Sequence, residues 1–365
     1  MLSRFRKLRP ILLLMAFGAL SGCNLVLLNP AGDVASQQGD LIIYATIMMM
    51  LVIGPVMALT AFFAWQYRAS NKRARYEPEW GHSISLEIVI WAVPLAIIVV
   101  LAGLTWVATH RLDPYADLRR ISETQPIDES VEPMQVQVVA LDWKWLFIYP
   151  EEQLATVGEM AVVKDRPVEF HLTSNTVMNA FYIPDMAGMI YAMAGMQTEL
   201  NAVLNSPGEF EGFAANYNGT GFSQMRFDVK SFDSEEEFAS WTDDMRAISS
   251  GQLSDETFNA LALPSTFDRV VTYDSLEDGV YDRILNMCTT EGALCLDDQM
   301  MVDALGGGGL DGLFNREVFA GLCDADDPRA LLALLKPELR ADEERYAAVL
   351  LPPEYPADAT PARSN

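Results

Sequence analysis

Residues able to hold a transition metal are few in this chain and badly spread. Four cysteines stand at Cys23, Cys288, Cys295 and Cys323, and three histidines at His82, His110 and His171. Thiolates and imidazoles chelate only where several converge, and between Cys23 and Cys288 there is no cysteine. His171 is alone on a predicted strand and reads as a satisfied core or surface residue rather than a ligand. Met178, Met186, Met189, Met193 and Met196 are irregularly spaced thioethers, which suit pliable packing against a partner better than copper ligation. Glu87 immediately precedes a long apolar run, where a carboxylate is a functional candidate by default. Its other reading is a first-turn acid favoured by the helix dipole. No nucleophile with its base, no paired acids and no phosphate loop is evident.

The distribution of charge indicates which elements must position these residues. The 365 residues carry 25 Lys+Arg against 50 Asp+Glu, a formal charge of −25, yet 50% of them are hydrophobic. Residues 1–111 hold nine basic and five acidic residues, and 112–365 hold 16 and 45. An apolar part of charge +4 is thus joined to an acidic part of charge −29. A nucleic-acid binder, which needs a basic face for phosphates, is excluded. Disorder throughout is excluded too, because the acidic part keeps dense apolar and aromatic runs.

Arg4, Arg6, Lys7 and Arg9 precede an apolar run from Ile11 to Leu20. That run is too short for a bilayer core of about 30 Å but suits a signal peptide. It ends in Leu20-Ser21-Gly22-Cys23, which resembles the lipobox of bacterial lipoproteins. Residues 1–22 are therefore expected to be removed and Cys23 lipidated, with 23–40 a lipidated N-terminal segment held to the bilayer. Leu41 to Tyr67 then gives 27 residues without a charged side chain, and Ile88 to Val107 another 20. Both are long enough to span, and Pro55 and Pro94 are tolerable inside membrane helices. Between them Arg68, Lys72, Arg73 and Arg75 form a short basic loop that belongs in the cytoplasm. A transmembrane hairpin over 41–111 follows, with the acidic remainder on the outer side.

Val136 to Tyr149 is rich in β-branched and aromatic residues. Trp143, Trp145, Phe147 and Tyr149 share one face at period two, with Lys144, Leu146 and Ile148 on the other. Further strands are predicted at Val168–Thr173, Ala180–Ile183, Glu199–Leu204, Gly208–Ala214 and Gln224–Val229, which makes 134–230 a sandwich or barrel of roughly 100 residues. Past 230 the pattern turns helical. Ser234-Glu235-Glu236-Glu237 is a capping box, Ser254 is placed to cap a second helix, and Tyr281 to Leu335 reads mostly helical. Residues 231–350 are expected to be a helical arm and extension, with Gly306–Gly309 a flexible joint and 351–365 a disordered tail. Three cysteines outside the membrane are an odd number. One disulfide plus one free thiol is the simplest account, with Cys288 and Cys295 a candidate pair; a three-cysteine metal site is the alternative.

Two membrane helices followed by an exported β-domain carrying Trp143-Lys144-Trp145 resemble subunit II of the haem-copper respiratory oxidases. Tyr67 to Lys72, Leu141 to Pro150, Thr173 to Asn179 and Ile190 to Thr198 are similar to the ubiquinol oxidase branch of cytochrome bo type. The likeness runs over about residues 20–275. It implies a membrane α-hairpin of two transmembrane helices plus an all-β cupredoxin-like barrel with a C-terminal helical extension. In the cytochrome c oxidases this barrel holds a dinuclear copper centre, with a His five residues before a Pro and then Cys-x-Glu-x-Cys-Gly-x-x-His-x-x-Met. Laid on this chain, the pattern puts Asn179 and Phe222 at the histidines, Ala214 and Asn218 at the cysteines and Asn216 at the glutamate, with Met225 retained.

The resemblance therefore implies an oxidase fed by ubiquinol from within the bilayer, with no cytochrome c and no metal or other cofactor on this chain. Haem b, haem o and one copper are expected in partner subunit I, and subunits III and IV complete the complex. Trp143 and Trp145 would pack against the catalytic subunit. Glu87, after Trp80-Gly81-His82-Ser83, would lie at the mouth of a proton pathway into subunit I. The chain would be a multi-pass lipoprotein of the bacterial inner membrane with its main domain in the periplasm. A menaquinol oxidase subunit is the nearest alternative, and a membrane-anchored periplasmic sensor or binding lipoprotein the more distant one.

Overall fold

A helix that is apolar all round has no polar face to turn toward water, and the first two helices have this pattern. In the computed structural model, which describes residues 26–75, 78–127, 131–266, 270–290 and 292–302, α1 (Asp33–Gln66) and α2 (Ile84–Arg111) have 34 and 28 residues. At a rise of 1.5 Å they reach about 50 and 42 Å, and both are long and apolar enough to cross a membrane. Pro55 and Pro94 lie inside them. The buried residues in the pair, Asp33, Val34, Ala35 and Gly39, belong to the first turns of α1. Those turns begin eight residues before the apolar run and are polar, because what fixes them is contact with the β-domain. The expected signal peptide and tail, together with Cys23, the tetraglycine and Cys323, lie outside the described residues.

A short hairpin, β1 (Arg120–Ser122) and β2 (Gln125–Pro126), leads into the β-domain. Ten strands follow: β3 (Met134–Leu141), β4 (Lys144–Tyr149), β5 (Leu154–Val157), β6 (Glu159–Val163), β7 (Val168–Ser174), β8 (Asn179–Tyr182), β9 (Ile190–Ala192), β10 (Thr198–Ala202), β11 (Gly208–Ala214) and β12 (Arg226–Phe232). The chain continues through α3 (Glu235–Ala247), β13 (Gln252–Leu253), α4 (Asp255–Leu261), β14 (Val271–Tyr273), β15 (Ser275–Leu276), α5 (Val280–Leu285) and α6 (Leu296–Val302). One sheet has the order β10-β7-β3-β4-β5-β14 and the other β6-β12-β11-β8-β9. Pairing in both is antiparallel except for β3 with β7 and β6 with β12.

Between the sheets lies an aromatic core in which Trp145, Phe147, Phe170, Phe181 and Phe227 are at most 2% exposed. Phe181 and Phe227 stack at 5.4 Å, and full burial of each such side chain is worth about 1.5–3 kcal/mol. Strand β4 is buried on its other face as well, where Leu146 and Ile148 meet Leu253, Phe258, Leu261, Tyr281 and Ile284. The segment after residue 250 is therefore a cover for the first sheet that also adds β14 to its edge, rather than a purely helical arm. Its strands have two or three residues each, too few for periodicity to reveal. Strands β5, β6 and β9 escaped the sequence for a related reason: the first two are buried at every position, so they do not alternate, and β9 has three residues.

Both expected caps form. Ser234 Oγ accepts from Glu237 N–H at 3.3 Å, while the Glu237 carboxylate accepts from Asp233 N–H at 3.2 Å. At α4 the box is completed by a threonine: Ser254 Oγ accepts from Thr257 N–H at 3.3 Å, and Thr257 Oγ1 from Ser254 N–H at 2.7 Å.

Candidate functional site

The positions aligned with copper ligands do converge. Strands β8 and β11 are neighbours, with Ala214 opposite Phe181, so Asn179 at the start of β8 faces the loop that follows β11. In that loop Asn218 Nδ2 donates to Asn179 Oδ1 and to Met225 Sδ, the latter at 2.9 Å. Asn179 is 1% exposed, and its Nδ2 donates to Val177 O at 2.9 Å. Asn216 Nδ2 donates to Met178 O at 3.4 Å. Ala214 and Met225 are buried and joined by Ala214 N–H to Met225 O at 3.0 Å. Phe222 packs on the core edge with its ring 5.6 Å from Tyr217. Three amides, a thioether, a methyl and a phenyl ring do not fit a dinuclear copper group, which needs thiolates and imidazoles to hold the cuprous state. The loop instead closes on itself through amide hydrogen bonds, leaving Asn218 Oδ1 buried with no partner among the described residues.

The two tryptophans occupy different environments. Trp143 is not on the strand: it sits in the β3–β4 turn with φ 64°, a left-handed conformation that is uncommon for a bulky residue. From there it lies over the ligand-position loop, donating Nε1–H to Asn218 O at 3.3 Å. A Cβ on Gly221 would come within 2.3 Å of Trp143 Cγ, so only glycine permits this contact. Trp145 is fully buried, edge-on to Phe181 at 5.2 Å, and its Nε1–H has no partner among the described residues. The expectation that both tryptophans pack against another subunit is thus corrected for Trp145, which has no exposed surface. Next to them Lys144 is 3% exposed and its ammonium donates to Leu263 O at 2.7 Å, anchoring the covering segment. Burial pushes its pKa down, against the pull of Asp142.

Glu87 lies in the first turn of α2, half-exposed, with Oε1 at 2.6 Å from His82 Nδ1. The outer end of the hairpin is fastened to the barrel by backbone contacts, Gly32 N–H to Asp185 O at 2.7 Å and Asn205 N–H to Ala31 O at 2.9 Å. A Cβ on Gly32 would approach Val203 O to 2.5 Å. The buried carboxylate of Asp33 accepts from Arg120 Nε at 2.8 Å and from Gln37 at 2.8 Å. This pairing across 87 residues has no local signature.

Cys288 and Cys295 form a disulfide, which removes the alternative of a three-cysteine metal site. Their loop packs on the turn before β10, where a Cβ on Gly195 would meet Leu296 at 2.6 Å. His171 bonds through Nδ1 to Gln197 at 3.0 Å, with Glu169 at 3.4 Å from Nε2. Of the methionines, Met186 is buried, whereas Met178, Met189 and Met196 are exposed.

The family described as the COX Aromatic Rich Motif matches residues 248–292, the segment that covers β4. The cytochrome bo(3) ubiquinol oxidase subunit 2 of Pseudomonas putida is 44% identical over 283 residues, covering 78% of this chain and 87% of its own. The chain belongs to the ubiquinol oxidase subunit 2 family. Its counterpart in Pseudomonas aeruginosa is 45% identical over 266 residues, covering 73% of this chain and 77% of its own. The solved periplasmic domain of subunit II of the cytochrome oxidase of Bradyrhizobium japonicum is 21% identical, covering 30% of this chain and 89% of its own at a TM-score of 0.29. As a subunit 2, the chain joins a two-helix hairpin to a cupredoxin-like barrel with C-terminal helices.

Proposed function

We propose that this chain is the copper-free subunit II of a proton-pumping terminal ubiquinol oxidase, which oxidises ubiquinol and reduces dioxygen to water. The observation that carries this reading is the Asn179–Asn218–Met225 network, which fills the metal-loop positions with side chains that bind one another. A barrel without an electron port has no use for cytochrome c. Electrons then come from quinol in the bilayer, and haem b, haem o and one copper reside in subunit I, with subunits III and IV completing the assembly. This chain organises the complex in the inner membrane, with its barrel in the periplasm and Cys23 lipidated. Purification in mild detergent with haem spectra, copper analysis and quinol-dependent oxygen uptake tests it. One copper per complex is expected; a further copper pair, or turnover with cytochrome c, would overturn the copper-free reading. A haem-free chain purifying alone would favour the sensor lipoprotein, and preferential turnover of menaquinol the menaquinol oxidase.

Glu87 acts in this reading as the uptake point of a proton pathway into subunit I, and its contact with His82 supplies a second titratable group beside it. Glu87→Ala is expected to slow quinol oxidation and proton release while haem content stays the same. Unchanged turnover would leave Glu87 as a first-turn acid only.

A further inference from the structure

Where the hairpin meets the barrel, a cleft of about 510 Å³ opens between the first turns of α1, the outer end of α2, the linker that follows it and the barrel loops. Six charges line it, and they divide into two kinds. Asp33 and Arg120 neutralise each other at 2.8 Å. Arg111, Asp113, Asp117 and Arg119 are exposed and in no ion pair among the described residues; Asp113 Oδ1 accepts from Tyr115 N–H at 3.1 Å. Two guanidiniums and two carboxylates thus share one cleft without joining each other.

The depth of the cleft suggests what would use them. Arg111 is the last residue of α2, four positions beyond the apolar run that ends at Val107, which is the level of the lipid headgroups if the hairpin spans the bilayer. Guanidiniums are the side chains best suited to clasp a phosphate, carboxylates suit an ammonium, and Leu118, Met189 and Leu200 give the same cleft an apolar wall. We propose that this cleft binds the headgroup of a zwitterionic aminophospholipid of the outer leaflet, its phosphate at Arg111 and Arg119 and its ammonium at Asp113 and Asp117. This rests on the membrane topology of the proposed function. The lipid would fill the joint between barrel and bilayer, where Asp33 and Arg120 already hold the two parts together.

Native mass spectrometry of the complete oxidase, purified in mild detergent, tests the assignment with phosphatidylethanolamine and phosphatidylglycerol as probes. Arg111→Gln with Arg119→Gln is expected to lose one retained phospholipid per complex. Asp113→Asn with Asp117→Asn is expected to keep the number and to shift the retained lipid at least threefold toward phosphatidylglycerol. Unchanged lipid number and composition in both double variants would overturn the proposal. So would loss of a protein subunit in place of a lipid, which would make the cleft a subunit contact. Retention of inorganic phosphate by delipidated oxidase, with no uptake of phosphatidylethanolamine, would replace the lipid by a free anion. Failure of the underlying topology is separable, since the chain would then purify without a haem-bearing partner.

Discussion

The two faces of β4 are both sealed from water, but by different means. On the inner face Trp145 and Phe147 meet Phe181 and Phe227 of the opposite sheet, while Tyr149 meets Phe238 and Trp241 of α3, so the barrel and the helix that follows it bury them. On the outer face Leu146 and Ile148 are covered by Leu253, Phe258, Leu261, Tyr281 and Ile284, from a segment that follows the barrel in sequence, is held by the Lys144 ammonium on Leu263 O and leads into the Cys288–Cys295 disulfide. The inner face defines the fold, while the outer face shows that the aromatic-rich segment is part of the domain's stability rather than an appendage. The two clusters should therefore respond differently to truncation.

The largest effect is expected at Trp145. Trp145→Ala removes a fully buried ring and should destabilise the domain by about 3–5 kcal/mol, read as loss of the near-ultraviolet circular dichroism transition of the full chain in detergent. Because its indole N–H has no partner among the described residues, Trp145→Phe should lose much less; an equal loss would mean that the N–H is engaged. Phe258→Ala, on the outer face, should cost about 3 kcal/mol and expose residues 250–290 to protease while residues 134–230 stay protected. Simultaneous cleavage of both would show that the two faces form one cooperative unit.

Cys288→Ser with Cys295→Ser should cost about 2 kcal/mol, the bridge closing a short loop, and should loosen the same covering segment. Stability unchanged by reduction would place the hold on that segment in Phe258 and Lys144 alone. Smallest is the effect of Glu152, whose Oε2 is buried without a partner among the described residues and whose pKa is raised chiefly by burial. A carboxyl with a raised folded pKa penalises the fold above that value, and the penalty disappears as pH falls below the unfolded value. Glu152→Gln should stabilise the chain slightly at pH 7 and lose this advantage by about pH 4, judged by thermal unfolding at both; an advantage that grows on acidification would reverse the assignment.

Much of this was readable in advance because it depends on local pattern. Apolar runs marked α1 and α2, turn signals bounded β7, β8, β10 and β11, Ser234 and Ser254 marked two helix starts, and three cysteines outside the membrane suggested one bridge, with Cys288 and Cys295 a candidate pair. The candidate positions Asn179, Ala214, Asn216, Asn218, Phe222 and Met225 came from the resemblance to the oxidase subunit II pattern, and the contacts among Asn179, Asn218 and Met225 appear only in the fold. Other features carry no local signal. Trp143 looks like a strand residue at period two, yet a left-handed turn takes it off the strand and over Gly221. The Asp33–Arg120 pair and the grip of Lys144 on Leu263 join residues 87 and 119 positions apart.

The sequence by itself determined that a +4 apolar part joins a −29 acidic part, that the second folds as strands, and that the aligned metal positions hold amides, a methyl and a phenyl ring in place of thiolates and imidazoles. The charge division and the strands follow from residue identity and periodicity, which are properties of neighbours along the chain, whereas the metal positions follow from the resemblance to the oxidase subunit II pattern. Only the tertiary structure decided that the amides bind each other, that Trp145 is interior, that residues after 250 close the outer face of β4, and that four charges in no ion pair among the described residues gather where the hairpin meets the barrel. These depend on which distant segments share a surface. Packing of the whole chain selects that partner, and no stretch of sequence encodes it alone.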